Sequence, residues 1–129
     1  MHIREGDMVQ GSCCCGAVRY TLETAPTTLG MCHCSRCRKV GASAIFFTKR
    51  ENLTITAGRD AIAVYKPEPP HKYERSFCKL CGTSLGEILS DLDSFPINAN
   101  TLDEPVPMTV SFHEWTGEKP AWLEIATGD

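Results

Sequence analysis

Eight cysteines in a chain of 129 residues fall into three tight groups: Cys13-Cys14-Cys15, Cys32-x-Cys34-x-x-Cys37 and Cys78-x-x-Cys81. Exported disulfide scaffolds spread their cysteines along a short chain, whereas CxC and CxxC spacing brings neighbouring sulfurs to one point, as a metal ion requires. Metal binding is therefore the first expectation. The run Met1 to Asp7 mixes charge with glycine and lacks the apolar stretch of an export signal, so the expected compartment is the cytoplasm.

Counting ligands sharpens this expectation. A structural zinc takes four protein ligands in a tetrahedron, while a catalytic zinc keeps three and leaves one position for water or substrate. Cys13-x-Cys15-Gly16 and Cys78-x-x-Cys81-Gly82 both place glycine directly after the second sulfur, where a metal knuckle turns sharply and φ > 0 is needed. Pairing these knuckles gives a closed site on Cys13, Cys15, Cys78 and Cys81, a staple between segments more than 60 residues apart. Cys32, Cys34 and Cys37 are then left with three sulfurs and an open position. A soft, sulfur-rich Lewis acid of that kind suits a thiol better than a phosphate or a sugar. Four thiolates on Zn²⁺ leave roughly -2 and three leave roughly -1, so Arg36, Arg38 and Lys39 around the third sulfur are candidate donors to a thiolate or a substrate carboxylate.

Other assignments of the same residues remain open. Cys34 and Cys37 pairing with Cys78 and Cys81 would make a zinc ribbon, a non-catalytic module for a protein or nucleic-acid partner. Independent dithiols would make a redox or metal-buffering protein. His33 or Cys14 closing the trio would make the second site structural too, although a residue inside a tight CxC turn should point away from the metal. His113 reads as a hydrogen-bonded structural histidine, and Trp115 and Trp122 as packing residues.

The net charge of -3 supplies no general attraction to nucleic acid or anionic lipid, and no apolar run approaches the roughly 20 residues that span a bilayer. A chain of this length holds one core, so residues 1–129 are expected to form a single domain. Period-2 or β-branched runs at Val18–Leu22, Ala44–Thr48, Leu53–Thr56, Ile62–Tyr65, Tyr73–Phe77, Thr109–Phe112 and Trp122–Ile125 predict a mostly β fold. One helical turn is expected over Ser35–Val40, stopped by Gly41, and Ser90–Pro107 reads as a long loop.

The ordered motifs Gly11-Ser12-Cys13-Cys14-Cys15-Gly16-Ala17-Val18-Arg19-Tyr20, Cys32-His33-Cys34-Ser35-Arg36-Cys37-Arg38-Lys39 and Phe77-Cys78-Lys79-Leu80-Cys81-Gly82-Thr83 resemble the signatures of a known family. It is the glutathione-dependent formaldehyde-activating enzyme family, also called the centromere-protein-V-like family. Asn98-Ala99-Asn100-Thr101-Leu102-Asp103-Glu104-Pro105 and a segment with Lys119 before Ala121-Trp122-Leu123-Glu124 match more weakly. The resemblance implies a zinc-stapled, mostly β, Mss4-like fold with a structural zinc on Cys13, Cys15, Cys78 and Cys81. It further implies a catalytic zinc on Cys32, Cys34 and Cys37. The implied activity is that of a carbon-sulfur lyase of the S-(hydroxymethyl)glutathione synthase type. Its partners would be a small thiol such as glutathione and an aldehyde such as formaldehyde, with no nucleic acid and no membrane. Cys14, between the first two ligands, departs from the pattern.

Overall fold

Alternating apolar residues along short segments make strands the main regular structure of this molecule. The computed structural model describes residues 3–124. In chain order the strands are β1 (Val9–Ser12), β2 (Arg19–Leu22), β3 (Thr28–Cys32), β4 (Ala44–Lys49), β5 (Leu53–Ala57), β6 (Ile62–Tyr65), β7 (Arg75–Cys78), β8 (Ser84–Gly86), β9 (Ser94–Asn98) and β10 (Thr109–Glu114). One short helix, α1 (Ser35–Lys39), follows β3. Three sheets result, with strand orders β1-β2-β5, β10-β3-β4-β9 and β6-β7-β8. All pairings are antiparallel except β10 with β3.

The core collects the inward-facing residues of these strands. Val9 on β1, Tyr20 and Leu22 on β2, Phe46 on β4, Leu85 on β8, and Phe95 and Ile97 on β9 are fully buried, and Cys13 and Cys78 belong to the same cluster. Each such apolar side chain contributes on the order of 2 kcal/mol of burial free energy. The cysteine knuckles thus grow out of the core rather than out of a peripheral loop. Tyr20 crosses the core to share a hydrogen bond of 2.7 Å with Thr101 Oγ1, in the 3-10 turn Ala99–Thr101 that follows β9. Asn98 Nδ2 donates to Ser84 O at 2.9 Å. The Asn98–Leu102 motif therefore serves packing between β2, β8 and β9.

The mostly β expectation matches the structure, and the helical turn runs from Ser35 to Lys39 with Val40 as its C-cap. Ser90–Pro107 is not one loop: β9 lies inside it, with Pro96 in mid-strand opposite Phe47. Proline there looks like a strand breaker, but β9 borders its sheet, where a missing N–H costs no ladder bond. The sequence reading likewise missed β3, whose central Gly30 depresses strand propensity. The tertiary reason for Gly30 is the Phe112 ring of β10, which lies where a Cβ would project. A strand at Trp122–Ile125 is not formed over residues 122–124, and Ile125 lies outside the described residues. Trp115 and Trp122 are exposed rather than packed, because they follow the last strand, beyond the core cluster. No described helix is long and apolar enough to cross a membrane.

Candidate metal centres

Two turns of matching design meet at the first centre. Cys13 N donates to Val18 O at 3.1 Å and Cys78 N to Thr83 O at 3.0 Å, each closing a loop around a pair of cysteines. Inside each loop the glycine N–H turns back onto the first cysteine, Gly16 to Cys13 O at 3.0 Å and Gly82 to Cys78 O at 2.8 Å. Gly16 and Gly82 adopt φ of 80° and 82°, the left-handed conformation that the sequence pattern called for. Thr83 sews the turns together: its Oγ1 accepts from Cys14 N at 2.9 Å and lies 3.2 Å from Cys81 Sγ.

This places the sulfurs of Cys13, Cys15, Cys78 and Cys81 within 4.8 Å of one another. Cys13 and Cys15 Sγ are 3.6 Å apart, and Cys15 and Cys78 Sγ 3.8 Å. A tetrahedron with Zn–S bonds of about 2.3 Å has edges of about 3.8 Å. A disulfide would draw two sulfurs to about 2.05 Å, and all eight cysteines are free thiols. The donor set therefore fits a tetrahedral zinc. The four thiols also divide into better and poorer acids. Hydrogen bonds from the Thr83 hydroxyl and backbone pull Cys81 down to about 5. Cys15 receives some help from the Ala17 backbone, but its sulfur neighbours, Cys13 foremost, push it up to about 11. Burial works against the Cys13 thiolate, yet the Val18 N–H and the neighbouring thiols outweigh it and lower that thiol. A dication shared by all four would remove that competition, since each ligand binds as thiolate.

The second centre is local. Cys32 ends β3, Cys34 caps α1 with its Sγ accepting from Cys37 N at 3.2 Å, and Cys37 sits within the helix. Their three sulfurs lie within 4.8 Å of one another, and no fourth Cys, His, Asp or Glu among the described residues joins the group. Cys32 is buried and Cys34 and Cys37 are half-buried. Burial pushes the Cys32 thiol up to about 12. It opposes the Cys34 thiolate as well, but hydrogen bonds from the Cys37 backbone and the adjacent thiols prevail and lower it. Cys37 is raised, again by burial.

His33 does not complete the trio. It is buried, with its Nε2 2.9 Å from His113 Nδ1 and the two rings stacked at 5.2 Å. Burial lowers its pKa, with the neighbouring His113 and Lys119 adding to the effect. The β10 segment also holds the loop: His33 N donates to Glu114 O at 2.8 Å, and Ser35 N to Glu118 Oε1 at 2.9 Å. Cys14 is exposed and belongs to neither sulfur group.

The basic run is placed differently from expectation. Arg36 turns to Tyr65, donating to its hydroxyl at 3.4 Å and lying 5.8 Å over its ring, while Arg38 and Lys39 face solvent. The cation that reaches a sulfur is Arg75, whose Nη1 donates to Cys37 Sγ at 3.6 Å. Sequence reasoning missed it because Arg75 is 38 residues from that cysteine. Its only local signal is an arginine in the strand that leads into Cys78. A cavity of about 530 Å³ beside Lys72, Glu87 and Asp91 is lined by no cysteine of either centre.

Two separate sulfur groups in this order can be compared with known proteins. The profile described as "Glutathione-dependent formaldehyde-activating enzyme" matches residues 8–118. The chain belongs to that family. A relative from Halomonas elongata, named "Putative glutathione-dependent formaldehyde-activating enzyme", is 28% identical over 92% of this chain and 81% of the relative. A crystal structure of a Rhodobacter sphaeroides protein shares the fold, with a TM-score of 0.60 at 24% identity over 78% of this chain and 99% of that one. The family match spans every cysteine of both centres.

Proposed function

We propose that this family member is a zinc-dependent carbon-sulfur lyase that joins a small thiol, glutathione or a close analogue, to an aldehyde such as formaldehyde, or runs the reverse cleavage. In the forward direction the thiol loses its proton, its sulfur bonds to the carbonyl carbon, and the carbonyl oxygen takes up a proton, giving an S-hydroxymethyl adduct. The observation that carries this reading is the unequal ligand count: four sulfurs in one group and three in the other. The family description and the name of the Halomonas relative support the choice of thiol and aldehyde.

Cys13, Cys15, Cys78 and Cys81 would hold a structural zinc, and Cys32, Cys34 and Cys37 a catalytic one. When bound to the trio, zinc supplies a Lewis acid with a free position, which lowers the pKa of a thiol entering there. The chain's own residues shape that position. The N–H of Cys37 aims the Cys34 sulfur, and burial keeps water from Cys32. Glu118 and the Glu114 carbonyl tether the loop from the β10 side. The zinc-ribbon alternative has no geometric support, because Cys34 and Cys37 group with Cys32 while Cys78 and Cys81 group with Cys13 and Cys15.

The test is Cys34→Ser. The variant is expected to remain folded with about one zinc per chain and to lose at least about 100-fold in adduct formation, the scale of losing an essential catalytic group. Unchanged turnover of glutathione with formaldehyde would remove the trio from the reaction.

A further inference from the structure

The two centres differ in the charge of the groups that touch their sulfurs. Around the four-sulfur group the hydrogen-bonding partners among the described residues are neutral: the Val18 N–H, 3.3 Å from Cys13 Sγ, and the Thr83 hydroxyl. Around the three-sulfur group one partner is a full cation, the guanidinium of Arg75 on Cys37. Arg36, the other half-buried arginine near this centre, is committed to Tyr65. Tyr65 in turn stands opposite Arg75 in the β6–β7 register, so one strand pair carries Arg75 and, through Tyr65, also holds Arg36 of α1.

We propose that Arg75 is the positioning residue of the three-sulfur centre: its guanidinium fixes the Cys37 thiolate and offsets the negative charge of the trio, and Glu87 moderates how much positive charge the sulfur feels. This rests on the reading above that the trio holds a metal. Three thiolates on a dication leave roughly -1, which one arginine brings close to neutral. In a half-buried setting an N–H⁺···S⁻ bond is charge-assisted, and it withdraws electron density from the ligand. Glu87 follows Gly86, which pairs with Ser76 next to Arg75, so the β7–β8 register sets it at the Arg75 end of β7. It is half-buried; burial raises its carboxyl pKa and the charge of Arg75 acts against that rise. The carboxylate and the thiolate therefore draw on the same cation. Arg75 also sits at one end of β7 and Cys78 at the other, so the strand anchored by the closed centre delivers the cation to the open one. That gives the closed centre a role in the chemistry of its neighbour without any shared ligand.

Cobalt(II) titration of the full-length chain tests this, with thiolate-to-cobalt absorption as the readout and a competing chelator to rank affinities. Cys34→Ser identifies which binding phase belongs to the trio. Arg75→Gln is expected to weaken that phase by roughly 10–100-fold, the usual scale for losing an outer-shell partner, and to leave the four-sulfur phase unchanged. Arg75→Lys should recover part of the loss, and Glu87→Gln should tighten the same phase. Wild-type affinity in Arg75→Gln overturns the proposal, as does equal weakening of both phases, which would mean that Arg75 acts only through the fold. Should Arg75→Gln fail to fold, Glu87→Gln decides alone: tightening of the trio supports the proposal, and no change or weakening overturns it. If the unaltered chain shows no second cobalt phase, the metal reading of the trio fails first, before any arginine is changed.

Discussion

The four-sulfur group joins distant parts of the chain, with Cys15 and Cys78 separated by 63 positions, whereas the three-sulfur group lies within six consecutive residues. That contrast separates two kinds of work. A metal that closes a long loop removes chain entropy from the unfolded state and makes its binding energy part of the folding energy. A metal held by six neighbouring residues closes almost no loop, so it contributes little to the fold and its ligand set can remain open for chemistry. Burial follows the same division only in part. Cys13 and Cys78 belong to the core cluster, but Cys15 and Cys81 are exposed, so the closed centre is half core and half surface.

The sharpest way to break the comparison is Cys78→Ser. It removes a core ligand from a site whose occupancy is worth roughly 10 kcal/mol in small zinc modules, and the expected outcome is loss of soluble, folded protein in expression and circular dichroism. A soluble variant with native melting would mean that the closed centre does not staple the fold.

Gly30→Val should give the opposite pattern. Its side chain would displace the Phe112 ring and with it β10, whose segment tethers the Cys32–Cys37 loop through Glu114 and Glu118. The expected cost is about 3 kcal/mol, within the range for overpacking, with metal lost from the trio and retained at the four-sulfur group. Loss from both centres at once would show that they are not independent.

Thr83→Val sharpens the comparison most gently. Removing the hydroxyl that joins Cys14 N to the Cys81 side is expected to lower stability by about 1 kcal/mol, seen as a small fall in Tm of the zinc-loaded chain. Activity should be unaffected, since Thr83 touches only the closed centre.

Particular residues show what was legible before the structure. Gly16 and Gly82 announced their left-handed turns because glycine after a cysteine pair has few other uses. The helical turn after Cys34 was legible from local pattern, and so were the strands with clean alternation. β9 was hidden by Pro96, which is acceptable only because of where that strand lies in its sheet. β3 was hidden by Gly30, which makes sense only once Phe112 is seen against it. At the sites, the basic run beside Cys37 drew attention by proximity in sequence, while the arginine that contacts the sulfur came from another strand.

Spacing alone determined that the cysteines fall into three local knuckles, because ligands two to four residues apart are brought together by a single turn. Composition and alternation determined that the chain would be mostly β. Only the tertiary structure decided that the first and third knuckles face each other, that β10 closes over the middle loop, and that Arg75 reaches Cys37. These are contacts between segments far apart in the chain, and the free energy that selects them comes from packing a shared core, which no local pattern of residues records.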